Sequence, residues 1–194
     1  NLKLIRQKVG LVFQYPEHQL FEETVYKEIA FGPRNMGLDE AEIERRVKKA
    51  LTMVKLNRQE IYERSPFTLS GGQMRRLAIA GVLAMEPEIL ILDEPTAGLD
   101  PRGRDEILNG IKALHEQLKI TIVLVSHSME DLARLANILI VMHKGKIVLQ
   151  GTPQEVFSQP TILKRIGLGV PQVTELMHKL KERGMNVRTD VLTV

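Results

Sequence analysis

Apolar residues follow two rhythms along this chain of 194 residues. Short unbroken runs occur at 8–14 (Val9, Leu11, Val12 and Phe13), at Ile89-Leu90-Ile91-Leu92, and at Thr121-Ile122-Val123-Leu124-Val125. Runs of this kind predict strands covered on both faces of a parallel sheet. Between them, apolar positions recur every three or four residues. Ile43, Val47, Ala50, Leu51 and Val54 predict a helix within 38–57, with Asp39 as its N-cap. Further helices are predicted over 71–85 and 104–118. Ser128 is placed to cap another through Leu135, and 173–183 reads as a short helix with Val173, Leu176, Met177 and Leu180 on one face. Lys144-Gly145 between two apolar stretches, 138–142 and 146–149, is a hairpin signal. Pro16, Gly32, Pro33 and Gly37 predict that helices within 15–37 are short and broken. Residues 1–6 read as the lead-in to the first strand, and Gln159-Pro160 as a soft boundary. Strands alternating with helices of this length make an α/β fold with a mostly parallel sheet.

Composition narrows the class only a little. Hydrophobic residues are 43% and charged residues 26%, as in ordinary globular domains. The absence of cysteine excludes disulfides and cysteine metal sites. The net charge of +3 is scattered, not gathered in one block, so no dedicated nucleic-acid patch is expected.

Candidate chemistry gathers at the strand ends. Asp93 and Glu94 follow the run Ile89–Leu92 directly, at the sheet edge where α/β folds bind ligands. An Asp there can hold Mg²⁺ through water, and the second carboxylate can orient or deprotonate an attacking water. A strand that merely ends at a polar turn gives the same letters. Leu69-Ser70-Gly71-Gly72-Gln73 precedes the helix of 71–85. Ser70 suits an N-cap, and two glycines at a helix N-terminus let backbone N–H groups approach a phosphate; an ordinary Ser-Gly cap is the plain alternative. Ala97-Gly98-Leu99-Asp100 comes next, with Pro101 opening a helix. Ser126-His127 follows the strand 121–125, where an imidazole can reach a phosphate or a water. Gln14 ends the first strand with a neutral side chain able to touch a cation or water, or simply solvent.

Taken in order, Gln14, Leu69–Gln73, Ile89–Glu94, Ala97–Asp100 and His127 resemble the Q-loop, signature, Walker B, D-loop and switch histidine of ATP-binding-cassette (ABC) ATPases. The resemblance covers roughly 9–151. A narrower one is carried by Phe13-Gln14-Tyr15-Pro16-Glu17-His18-Gln19-Leu20-Phe21, by Glu28–Pro33 and by Asn35-Met36-Gly37-Leu38. These segments, and the tail Gly169–Leu176, are similar to the ATP-binding subunits of energy-coupling-factor importers, relatives of cobalt and nickel uptake ATPases.

The resemblance implies a P-loop NTPase-like three-layer fold with an ABC helical subdomain. It divides the chain into a core remnant (1–13), the Q-loop and helical subdomain (14–85), the ATPase core (86–160) and a C-terminal extension (161–194). It also implies roles: Asp93 and Gln14 at Mg²⁺, Glu94 as catalytic base, and His127 and Gln14 around the γ-phosphate and its water. Ser70, Gly71, Gly72 and Gln73 would bind ATP held by a partner subunit, and Asp100 would couple two sites. ATP and Mg²⁺ are the implied ligands. The implied partners are a second ABC ATPase, homo- or heterodimeric, a transmembrane coupling subunit and a substrate-binding membrane subunit, with no nucleic acid. The place implied is the cytoplasmic face of the cell membrane, and the task implied is powering uptake of a vitamin or transition-metal ion.

One part of the pattern has no counterpart. The phosphate-binding sequence Gly-x-x-x-x-Gly-Lys-Ser/Thr occurs nowhere in the chain. The expectation is therefore a truncated form, lacking the N-terminal part of the fold and inactive alone, with apolar surface bared on 89–92 and 121–125. Two alternatives stand beside it: a partial cassette lending only its signature to a partner, and an ABC ATPase acting on nucleic acid or ribosomes. The latter usually carry paired cassettes or a long coiled-coil insertion, neither of which is seen here.

Overall fold

The computed structural model describes residues 2–57 and 59–193. It contains two compact units, 1–125 and 126–194. The first opens with α1 (Leu2–Lys8), followed by β1 (Val9–Val12) and a 3-10 turn (Pro16–Gln19). Three longer helices come next: α2 (Val25–Asn35), α3 (Glu40–Met53) and α4 (Gly71–Leu83). Then follow β2 (Ile89–Asp93), α5 (Pro101–Leu118) and β3 (Thr121–Val125). The three strands form one parallel sheet in the order β1-β2-β3.

Caps set the helix starts as the sequence predicts. The Asp39 carboxylate accepts from the Glu42 N–H, and Ser70 and Gln73 close a capping box at α4. Helix α4 packs on α2, α3 and β1, and Ile29, Ile43, Val47, Leu51, Leu77 and Ala80 between these helices are fully buried. Gly10 is where β1 meets α4. A Cβ there would fall 2.4 Å from Val82 Cγ1, so the close approach requires glycine.

Four expectations about the first unit change. Residues Leu2–Lys8 lead into β1 as a helix, because straight-chain Leu, Arg, Gln and Lys favour helix and no strand among the described residues pairs with them. Helix α2 runs unbroken through Gly32 and Pro33. Pro33 lies in its last turns, where the missing N–H removes a single hydrogen bond, and Gly32 gives room to Met85. Strand β2 alternates, with Leu90 and Leu92 buried and Ile89 and Ile91 half-buried. Strand β3 lies at the sheet edge with Val123 and Val125 exposed, so neither strand is covered on both faces, in line with the apolar surface expected there.

The second unit holds α6 (Met129–Leu135), a hairpin of β4 (Leu139–His143) and β5 (Lys146–Gly151), then α7 (Pro153–Phe157), α8 (Pro160–Arg165) and α9 (Gln172–Glu182). Lys144 and Gly145 both take positive φ, 48° and 74°, the geometry of a two-residue hairpin turn. Leu139, Val156, Phe157, Leu163 and Val170 form its core. In α9 the stripe is rotated from the predicted one. Thr174 is buried and donates to the Val191 carbonyl at 2.6 Å, while Leu176 points to solvent.

Candidate functional site

Strands β1 and β2 are parallel neighbours with Val12 opposite Leu92, so both end at one sheet edge. That edge carries Gln14, two residues past β1, together with Asp93 at the end of β2 and Glu94 just beyond it. Asp93 is also opposite Val125 of β3. Gln14 is exposed, and Asp93 and Glu94 are partly exposed. The chain turns sharply on leaving both strands: Tyr15 has φ 55° and Glu94 φ 47°. For residues with a Cβ this left-handed conformation costs about 1–2 kcal/mol. At Glu94 the turn is pinned by its own N–H, which donates to the Val125 carbonyl at 2.9 Å, and by the Ala97 N–H, which donates to the Glu94 carbonyl at 3.0 Å.

The stretch after Glu94 lies against the β1 end. A Cβ on Gly98 would be 3.7 Å from Tyr15 Cε1. Asp100 ends this stretch as the N-cap of α5, its carboxylate accepting from the Gly103 N–H at 2.7 Å.

The start of α4 is a second cluster. The Ser70 hydroxyl accepts from the Gln73 N–H, and the Gln73 side-chain oxygen accepts from the Ser70 N–H at 2.9 Å. Two of the helix's four orphan donors remain, those of Gly71 and Gly72. Neither glycine has a positive φ, and a Cβ on either would meet nothing within 4 Å. Nothing among the described residues therefore asks for glycine here. A ligand approaching the backbone from outside would ask for it.

Arg75, one turn along α4, went unnoticed in the sequence. It is 2% exposed; its Nη1 donates to the carbonyls of Pro95 and Ala97, both at 2.9 Å, and its Nη2 to Glu17 at 3.3 Å. The signal was its register: Arg75 is four and eight residues before the buried Ile79 and Leu83. His127 belongs to the second unit, exposed between β3 and Ser128, whose hydroxyl caps α6.

No cluster of three or more His, Cys, Asp or Glu able to hold a metal occurs among the described residues. A strand-end carboxylate such as Asp93 nevertheless fits Mg²⁺, which takes its remaining ligands from phosphate and water. No helix among the described residues is long and apolar enough to cross a membrane.

Comparison with known proteins identifies the family and the fold. The profile of the family described as ABC transporter matches residues 1–97. An "Energy-coupling factor transporter ATP-binding protein EcfA2" of Clostridium tetani is 60% identical over 190 residues, 98% of this chain and 66% of that protein. The protein of the same name from Clostridioides difficile is 60% identical over 195 residues, 100% of this chain and 68% of its own length. The solved structure of cbiO1 from Clostridium perfringens, described as part of the ABC transporter complex cbiONQ, superposes with a TM-score of 0.75 at 40% identity. The match covers 91% of this chain and 70% of that one. The chain thus spans about two thirds of the length of the curated relatives it matches.

Proposed function

This chain belongs to the ABC transporter family, as one of its energy-coupling factor ATP-binding proteins, and from that premise we propose that it carries the hydrolytic and signature halves of an ATP-driven import motor. The observation that carries the proposal is the pair of open amides at Gly71 and Gly72, beside a capping box that has already used its other donors. Backbone N–H groups at a helix N-terminus suit the γ-phosphate of ATP held by a second subunit.

At the sheet edge, Glu94 would accept a proton from the attacking water, with Gln14 orienting that water. Asp93 would hold Mg²⁺, which when bound neutralises charge developing on the transferred phosphoryl group. His127 would donate to the γ-phosphate. Asp100 would stiffen the D-loop between two sites by capping α5.

A groove of about 430 Å³ between α2, α4 and the turn Pro16–Gln19 supports docking of a transmembrane partner. Leu20, Phe31, Gly32, Met36 and Met85 line it. At its rim Phe21 and Phe31 pack edge to face with ring centres 4.9 Å apart, and both remain exposed. The solute, a vitamin or transition-metal ion, would be chosen by a membrane subunit.

Calorimetric titration with MgATP tests the reading. A chain of the relatives' full length should bind at micromolar concentration and hydrolyse ATP. These 194 residues alone, which lack the Gly-x-x-x-x-Gly-Lys-Ser/Thr loop, should do neither. A full-length chain without turnover would sink the proposal, and micromolar ATP binding by the 194 residues would sink the division of the site. Membrane proteins, not ribosomes or DNA, should co-purify with it.

A further inference from the structure

We propose that Arg75 is the positioning residue that holds Glu94 in its working conformation, with Glu17 as its counter-charge. The proposal rests on the hydrolytic reading of Glu94.

Glu94 stands at φ 47°, and a strained backbone of that kind persists only where its surroundings over-determine it. Two of the restraints are ordinary backbone bonds, Glu94 N–H to the Val125 carbonyl and Ala97 N–H to the Glu94 carbonyl. The third comes from α4. A single guanidinium nitrogen of Arg75, Nη1, donates to two carbonyls, those of Pro95 and Ala97, and so clamps the three residues that follow Glu94. Its other terminal nitrogen donates to both Glu17 oxygens, at 3.3 and 3.4 Å. Its Nε is buried with no partner among the described residues, so two carbonyls and one carboxylate set the head group's place.

The residue type matters here. Only a planar guanidinium offers a fixed fork of donors that reaches both carbonyls and the carboxylate together; a lysine ammonium is a point charge on a flexible stem. Burying that cation is tolerable because Glu17 neutralises it, and Glu17 is itself largely buried, its side chain 19% exposed. Glu17 lies in the turn Pro16–Gln19, just past Gln14. The pair therefore ties the end of β1 to the loop after β2 through the helix that begins with the open glycine amides. Gln19 of the same turn lines the groove, so a change there has a route of one ion pair to the Glu94 loop.

Two measurements test this, the first independent of activity. Hydrogen exchange of the 194-residue chain should show the amides of Glu94 and of residues 96–99 exchanging about tenfold faster in Arg75→Met than in wild type, with 107–114 of α5 unchanged. Arg75→Lys should fall between. In a chain of the relatives' full length, Arg75→Met should lower kcat by roughly 10- to 100-fold, with KM for ATP within about threefold. Glu17→Gln should move kcat in the same direction, and the double variant should be no slower than Arg75→Met alone. Wild-type protection at 94–99, a uniform rise in exchange across the unit, or a loss carried by KM would each overturn the proposal. If the wild-type full-length chain does not turn over, the hydrolytic reading falls, and the exchange arm still decides whether Arg75 holds the loop.

Discussion

Gly10 and Val82 are in such close approach that a single carbon added to the first would lie 2.4 Å from Cγ1 of the second. This contact sets the distance between β1 and α4, hence between the strand ending near Gln14 and the helix carrying Ser70–Gln73. Gly10→Ala should destabilise the first unit by about 1–3 kcal/mol through overpacking. Thermal or urea unfolding measures it. A variant as stable as wild type would show that α4 can shift freely.

Gly72 gives the opposite expectation. Alanine has open space there, and replacing a helical glycine should leave stability unchanged or raise it by up to about 1 kcal/mol. In a chain of the relatives' full length, ATP-driven dimerisation should nevertheless weaken at least tenfold (about 1.4 kcal/mol), because the added methyl stands where the phosphate would approach. Stability measured beside light scattering with ATP separates the two effects. Unchanged dimerisation would remove the glycines from the site.

Glu94→Gln keeps the size of the side chain and the backbone bond to Val125 and removes the negative charge and the basicity that goes with it. At the relatives' full length, turnover should fall by roughly 10²–10⁴ while ATP still binds and traps the dimer. Wild-type turnover in this variant would show that Glu94 is not the base.

The helical part of the first unit should respond to acid through Glu42. Its carboxylate accepts from Arg45 and Arg46, and those bonds hold its pKa down from 4.5 to about 2. A depressed pKa stabilises the folded state in full above the ordinary carboxylate value, and that stability is lost as pH falls from about 4.5 toward 2. Unfolding curves across this window should be steeper in pH for wild type than for Glu42→Gln. Parallel curves would mean the Glu42 ion pairs add nothing.

Much of this was readable from the letters, and the failures have physical causes. Strand runs, the Asp39 and Ser70 caps and the Lys144-Gly145 hairpin depend on local chemistry, which a sequence displays directly. The motif residues Gln14, Asp93 and Glu94 were expected at strand ends, and register puts those ends on one edge. What escaped depends on neighbours. Pro33 reads as a helix breaker until its place near the end of α2 is known. Leu176 fits a helical apolar stripe, but the core beside α9 is reached through Thr174. Arg75 has the register of a buried position but the charge of a surface one, and the carbonyls of Pro95 and Ala97, 20 and 22 residues away in sequence, together with the Glu17 carboxylate explain its burial.

The left-handed turn at Glu94 sets thermal robustness against chemistry at one position. Glycine or asparagine adopts φ 47° with less strain than glutamate does. A library randomised at residue 94 and selected only for survival of heating should therefore drift to those two residues. Selection for growth dependent on uptake should restore glutamate. A thermostabilising redesign of this chain that consults folding energy alone would remove the proposed catalytic carboxylate early, and count the change as an improvement.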